Sequence, residues 1–351
     1  MTPGWLGVLA LTAAAFVVAI AFTPAVMRAA QRFGFVDHPG ERKVHREPMP
    51  TGGGFAVAGA FFAVLWISTL FPGAPPMRAV IGLTVVGVLA LLLGYFDDRF
   101  RLPAWFKLIV QAGCGVLLHQ FGFGVDKLSN PFAGDRAAIE LQGLGILVDV
   151  IWVLAITNAI NLIDGLDGLA TGVVAIATGA LVAVATIHQD ASVIWVGAIL
   201  VGACLGFLRY NFPPARMFLG DTGSQFLGMM MAALALLENN KGTAAITLLL
   251  PIVAMGLPLL DSGLAFVRRL GRGGRIFRAD QEHLHHRLLH LGLTQRQVVT
   301  LMYYACAYLG ITAYMLSFLP RRAVLLVLVL LTMGLVLALE TLEFIDRRSR
   351  R

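Results

Sequence analysis

The stretch GILVDVIWVLAITNAINLIDGLDGLA, residues 145–170, runs from an apolar segment into a cluster of amides and carboxylates. Its first part, 145–162, comes close to the ~20 apolar residues that a helix needs to cross a bilayer. Its second part sets Asn158, Asn161 and Asp164 at three-residue spacing, which on a helix aligns them along one side. Gly165 and Gly168 then loosen the helix around Asp167. Polar groups at the end of a membrane span are costly unless they pair, reach water or hold an ion, so they read as functional. The apolar part decides the fold class and the polar part marks the site.

Similar apolar runs recur from end to end, near 5–27, 53–71, 79–96, 105–122, 169–187, 192–208, 224–238, 244–266, 299–318 and 323–343. With the first, these predict an all-α polytopic integral membrane protein of about eleven transmembrane helices, folded as a single domain over 1–351. The composition agrees: 58% of residues are hydrophobic and 13% charged, against roughly 45–50% apolar in a soluble domain. The run from Trp5 to Met27 exceeds the 7–15 residues of a signal-peptide core. It has no basic residue before it and reads as a retained span. Cys114, Cys204 and Cys306 lie far apart in apolar segments, without metal or redox spacing, and read as packing residues.

A net charge of +7 in a soluble chain would raise nucleic acid as a partner; in a membrane protein the placement of Lys and Arg matters instead. With the N-terminus outside and the C-terminus inside, 21 of the 27 basic residues fall in inner loops or the tail, which leaves Arg78, Lys127, Arg136, Lys241, Arg321 and Arg322 outside. The expected partner is therefore a lipid bilayer, with no nucleic acid. This orientation brings the polar segments near 28–52, 97–105, 158–170, 209–224 and 267–298 to the cytoplasmic face. The outer segment DKLSNPFAGDRAAIELQG, 126–143, predicts a short hairpin or re-entrant element without chemistry.

Each polar segment has a plain reading beside a functional one. GYFDDRF, 94–100, puts Asp97 beside Asp98 at a span end, either as a solvated helix terminus or as divalent-cation ligands. RMFLGDTGSQFLG, 216–228, predicts a helix start at Asp221 capped by Thr222 or Ser224; the same free amides would suit a phosphate. ERKVHREPMPTGGG, 41–54, offers Lys43, His45 and Arg46 beside a glycine turn, for a pyrophosphate or simply for anionic lipid. RIFRADQEHLHHRLLHLG, 275–292, holds His283, His285, His286 and His290 between Arg278 and Arg287. Zinc takes Cys and His in tetrahedral sets and no Cys lies nearby, so phosphate contacts suit this loop better. His119, His188 and the run Met229 to Met231 read as structural.

Taken together, RKVHREPMPTGGG, FDDRF, NAINLIDGLDGLA, FLGDTGS and HLHHRLLHLG, in this order and at span ends, resemble the polyprenyl-phosphate N-acetylhexosamine-1-phosphate transferases, a glycosyltransferase 4 type family. The resemblance covers about Val36 to Gly292, and the His-x-His-His form is similar to the UDP-N-acetylglucosamine:undecaprenyl-phosphate branch (WecA/TagO type). It implies transfer of N-acetylhexosamine 1-phosphate from a UDP-sugar to undecaprenyl phosphate at the bacterial plasma membrane, with release of UMP and a requirement for Mg²⁺ or Mn²⁺. The catalytic set it implies is Asp97, Asp98, Asp164, Asp167, His283, His285 and His286, with the metal on Asp221 and Asp164. Substrate contacts map onto Lys43, His45, Asn158, Asn161, Arg278 and Arg287, and the resemblance extends to a homodimer. Within the family the alternative is the peptidoglycan branch, which transfers phospho-N-acetylmuramoyl-pentapeptide. Outside it, an ion-coupled secondary transporter would also carry intramembrane Asp and Asn, but at the bilayer midplane between repeats. A membrane scaffold would not need five polar motifs on one face.

Overall fold

A computed structural model of the protein describes residues 4–37, 48–125, 127–129, 138–238, 253, 256 and 284–349. The helices are α1 Trp5–Arg32, α2 Gly54–Ser68, α3 Met77–Phe100, α4 Ala104–Gln120, α5 Gly145–Ile163, α6 Leu169–His188, α7 Ala191–Asn211, α8 Gly220–Glu238, α9 Leu284–His290, α10 Gln295–Leu316 and α11 Arg321–Ser349. Six of them are long and apolar enough to cross a membrane: α1, α3, α5 with the 3-10 turn before it, α6, α7 and α10. The expected span 244–266 lies outside the described residues except for Val253 and Gly256.

Helix starts follow local chemistry. Pro76 and Pro103, which lack an N–H to satisfy, immediately precede α3 and α4. The Asp190 carboxylate accepts from the backbone N–H groups of Ser192 and Val193 and caps α7. Thr294 and Gln297 form a reciprocal capping box at α10. Arg101, with φ 52°, turns the chain out of α3.

The core runs through the bundle along α2, α5, α7 and α8, where Phe61, Ile156, Phe207, Phe226 and Met229 to Met231 are buried. α1 packs along α7, α3 and α5 along α8, and α6 between α7 and α10. Two small ribbons depart from an all-helical reading. β1 (Val36–Asp37) pairs antiparallel with β2 (Met49–Pro50), and β3 (Lys127–Ser129) with β4 (Ala138–Glu140), Lys127 opposite Glu140. The second ribbon is the hairpin alternative expected of 126–143; the first had no alternating pattern by which to be found.

Candidate active site

Adjacent residues on a helix point about 100° apart, so Asp97 and Asp98 at the end of α3 take different partners. Asp97 is buried. Its Oδ1 accepts from the Leu102 N–H at 2.9 Å and its Oδ2 from Lys107 Nζ at 2.7 Å. Asp98 reaches across to α8, where Oδ1 accepts from the Asp221 N–H at 2.9 Å. Its Oδ2 accepts from the Thr222 N–H at 2.9 Å and the Thr222 hydroxyl at 2.6 Å.

This corrects the expected helix start. The first turn of α8 is capped by a carboxylate from α3, 123 residues away in sequence, in place of Thr222 or Ser224. The amides of Asp221 and Thr222 are consequently bonded to protein and are not free for a phosphate. A carboxylate suits this place because the helix N-terminus carries partial positive charge.

α5 supplies the second hold on Asp221. Asn161 Nδ2 donates to Asp221 Oδ1 at 2.7 Å and to Ser224 Oγ at 2.8 Å, so one amide ties the carboxylate to its own helix. Asp164 ends α5, and beyond it Asp167 Oδ2 accepts from the Ala215 N–H at 3.0 Å, joining the loops on either side of α6 and α7. Gly168, at φ +72°, opens α6, and its carbonyl accepts from the Tyr303 hydroxyl of α10 at 2.5 Å. Asn211 holds the loop after α7 to α6 by accepting from the Thr171 hydroxyl and donating to the Met217 carbonyl. The chain before α2 joins the same end: Phe218 donates to Pro50, and Gly53 and Gly54 donate to Phe218 and Leu219.

Close backbone approach sets these distances. A Cβ on Gly94 would stand 2.3 Å from the Asp221 carbonyl oxygen, so α3 and α8 meet at the point where Asp98 reaches Asp221 only because residue 94 has no side chain.

Charge accumulates at this meeting point. Removal from water, then the negative charges of Asp221, Asp98 and Asp167, hold the Asp164 carboxyl well above the ordinary carboxylate range. Among the described residues no three His, Cys, Asp or Glu side chains form a closed metal set. A magnesium-type site does not require one, because that ion uses one or two carboxylates together with water and substrate phosphates. Hard oxygen donors whose charges repel one another, Asp164 and Asp221, fit such a cation.

The structure thus gathers Asp97, Asp98, Asn161, Asp164, Asp167 and Asp221 at one end of the bundle. Asn158 stands one turn away, and its amide nitrogen donates to Gln111 Oε1 and to the Leu154 carbonyl. Arg287 is buried on α9. Lys43, His45, Arg278 and His283 lie outside the described residues; His285 and His286 lie on α9, with side chains outside them too. The sequence alone does not single out Lys107, Gln111 and Gln225. The signal that points to the two glutamines is an isolated amide inside an apolar run.

The family model described as glycosyl transferase family 4 matches residues 80–239, which include all six gathered residues. The chain is 36% identical over 295 residues to the probable undecaprenyl-phosphate N-acetylglucosaminyl 1-phosphate transferase of Bacillus subtilis (strain 168), covering 84% of this chain and 81% of that protein. It is 33% identical over 332 residues to the decaprenyl-phosphate N-acetylglucosaminephosphotransferase of Mycobacterium tuberculosis (strain ATCC 25618 / H37Rv), covering 88% and 81%. It is 30% identical over 340 residues to the undecaprenyl-phosphate alpha-N-acetylglucosaminyl 1-phosphate transferase of Escherichia coli (strain K12), covering 92% and 90%.

Proposed function

The chain belongs to glycosyl transferase family 4, and from that premise we propose that it transfers N-acetylglucosamine 1-phosphate from UDP-N-acetylglucosamine to undecaprenyl phosphate. An oxygen of the lipid phosphate attacks the β-phosphorus, the bridging P–O bond of the diphosphate breaks, and UMP leaves with that oxygen. The product, a polyprenyl-diphosphate sugar, begins a lipid-linked cell-envelope glycan. The observation that carries this reading is the convergence of Asp98, Asn161, Asp164 and Asp221 at the meeting of α3, α5 and α8, inside the family-matching region.

Joining two anions makes positioning and charge neutralisation the main catalytic tasks, as in other phosphoryl transfers. A bound Mg²⁺, or Mn²⁺, held by Asp221 and Asp164 would neutralise the diphosphate and the departing UMP. Asp98 has both oxygens engaged in capping α8, so its part is to aim Asp221, while Asn161 sets the rotation of the Asp221 carboxylate. Asp97 holds Lys107 at the start of α4, which offers an ammonium group to an arriving phosphate. A phosphate monoester has its second pKa near 6, so the lipid phosphate is already mostly dianionic at neutral pH and needs no base. Asp167 ties the loops that frame the site. The nucleotide-sugar contacts fall to Lys43, His45, Asn158, Arg278, Arg287 and the donors His283, His285 and His286.

The same reading sets the protein in the bacterial plasma membrane as a single domain of about eleven spans. The N-terminus is outside, the C-terminus and active site are cytoplasmic, and the assembly is a homodimer; the one-sided distribution of Lys and Arg supports the orientation. Membranes containing the protein, incubated with labelled UDP-N-acetylglucosamine and undecaprenyl phosphate, should yield a labelled lipid and UMP only when Mg²⁺ is present. Purified protein offered a panel of UDP-sugars should prefer the N-acetylglucosamine donor. Absence of any lipid product from a folded preparation would overturn the reading.

A further inference from the structure

One helical turn beneath the acidic cluster, three side-chain amides from three helices meet. Gln111 follows Lys107 by four residues on α4, Gln225 follows Asp221 by four on α8, and Asn158 precedes Asn161 by three on α5. Each therefore shares a helix face with a site residue and lies one turn further into the bundle. Asn158 Nδ2 donates to the Leu154 carbonyl at 2.7 Å, which identifies that atom as the nitrogen, and also to Gln111 Oε1 at 2.7 Å. Gln111 must then present its nitrogen to Gln225, and Nε2 donates to Gln225 Oε1 at 2.9 Å. One backbone carbonyl thus sets the direction of the whole chain. At its far end Gln225 Nε2 has no hydrogen-bond partner among the described residues.

Stability does not account for this arrangement. Gln111 and Gln225 are 0% and 1% exposed, and a buried amide chain with an unmatched donor serves stability worse than apolar side chains of the same volume. What it supplies is register. Apolar helix faces slide past one another at little cost, whereas directional hydrogen bonds between buried groups specify one alignment.

We propose that Gln111 and Gln225 are positioning residues for the transfer reaction. Through Asn158–Gln111–Gln225 they fix the axial register of α4, α5 and α8, and with it the placing of Lys107, Asn161 and Asp221 around the reacting phosphates. The proposal rests on the transferase reading above. Misplacement of reacting groups by 1 Å costs on the order of 100-fold in rate, so a shift well below one helical turn is enough to matter.

The test is the full-length protein carrying Gln111→Met, Gln225→Met or both, in nanodiscs, assayed with UDP-N-acetylglucosamine and undecaprenyl phosphate. Methionine keeps the length and loses the hydrogen bonds. The expected result is kcat lowered about tenfold or more in all three variants, KM for the UDP-sugar within about threefold of wild type, and an unfolding temperature equal to or above wild type in the double variant, which strands neither buried glutamine. Turnover per folded molecule within about twofold of wild type in any of the three variants overturns the proposal. A lowered unfolding temperature of the double variant, or its failure to fold, also overturns it, because the amides would then be serving the fold. Asp221→Asn in the same assay separates the two readings. Full turnover in that variant takes Asp221 out of the reacting centre and overturns this inference with it, whereas no lipid product from wild type removes the transferase reading itself; loss in Asp221→Asn beside normal glutamine variants removes only this inference.

Discussion

Asp221 is held twice, by Asp98 at its backbone and by Asn161 at its carboxylate, so a change at its side chain leaves the α8 cap in place. Asp221→Asn should therefore insert and fold normally yet lose transfer almost completely, and His285→Ala should lose less; comparison of the two in one membrane assay checks the ranking. Asp98→Asn is expected to act differently. Its amide keeps one acceptor oxygen and sets an NH₂ against a backbone N–H, so part of the cap is lost, an effect of about 0.5–2 kcal/mol visible as a lower unfolding temperature together with reduced turnover. Asp164 adds a pH signature in metal-free protein. A carboxyl held above its ordinary range in the folded state binds its proton more tightly there than in the unfolded chain. Its contribution to stability is full below the unfolded carboxylate pKa near ~4 and is lost as pH rises through the raised folded value. Unfolding in EDTA should follow that trend, and Asp164→Asn should weaken it.

Between elements, the decisive contact is a backbone one. Ala favours an exposed helix over Gly by about 1 kcal/mol, so Gly94→Ala would be benign on helix propensity alone. Packed against α8 it is not, because the added carbon meets the Asp221 carbonyl oxygen at 2.3 Å and must push α3 and α8 apart where Asp98 spans them. Turnover should fall at least about tenfold while membrane insertion persists. Gly113→Ala on α4, where a Cβ meets nothing within 4 Å, is the matched control and should leave turnover unchanged. The two variants share a substitution and differ only in what faces it, so turnover of both reads out α3–α8 spacing directly.

Across the whole molecule, the charge distribution predicts which end of the bundle faces the cytoplasm. Ser129→Cys in the β3–β4 hairpin should react with an impermeant maleimide on intact cells, and Ser349→Cys in the tail only after the membrane is opened; the reverse pattern would invert the topology. Cys114, Cys204 and Cys306 are all buried, which keeps the labelling background low. The helical membrane class and the motif order were legible in the chain because each depends on composition or on spacing within a few residues. The family and the set Asp98, Asn161, Asp164 and Asp221 were legible for the same reason, since each motif is a short local string. Tertiary structure alone decided how those residues divide the work. Asp97 and Asp98 look equivalent as neighbours, yet one binds Lys107 and the other caps α8; Asn158 and Asn161 look equivalent in spacing, yet one turns to Gln111 and the other to Asp221. Those outcomes depend on which helix ends lie side by side, and that is settled by packing between different helices, at separations of 47 residues for Asn158 and Gln111, 60 for Asn161 and Asp221, and 123 for Asp98 and Asp221, where no local pattern reaches.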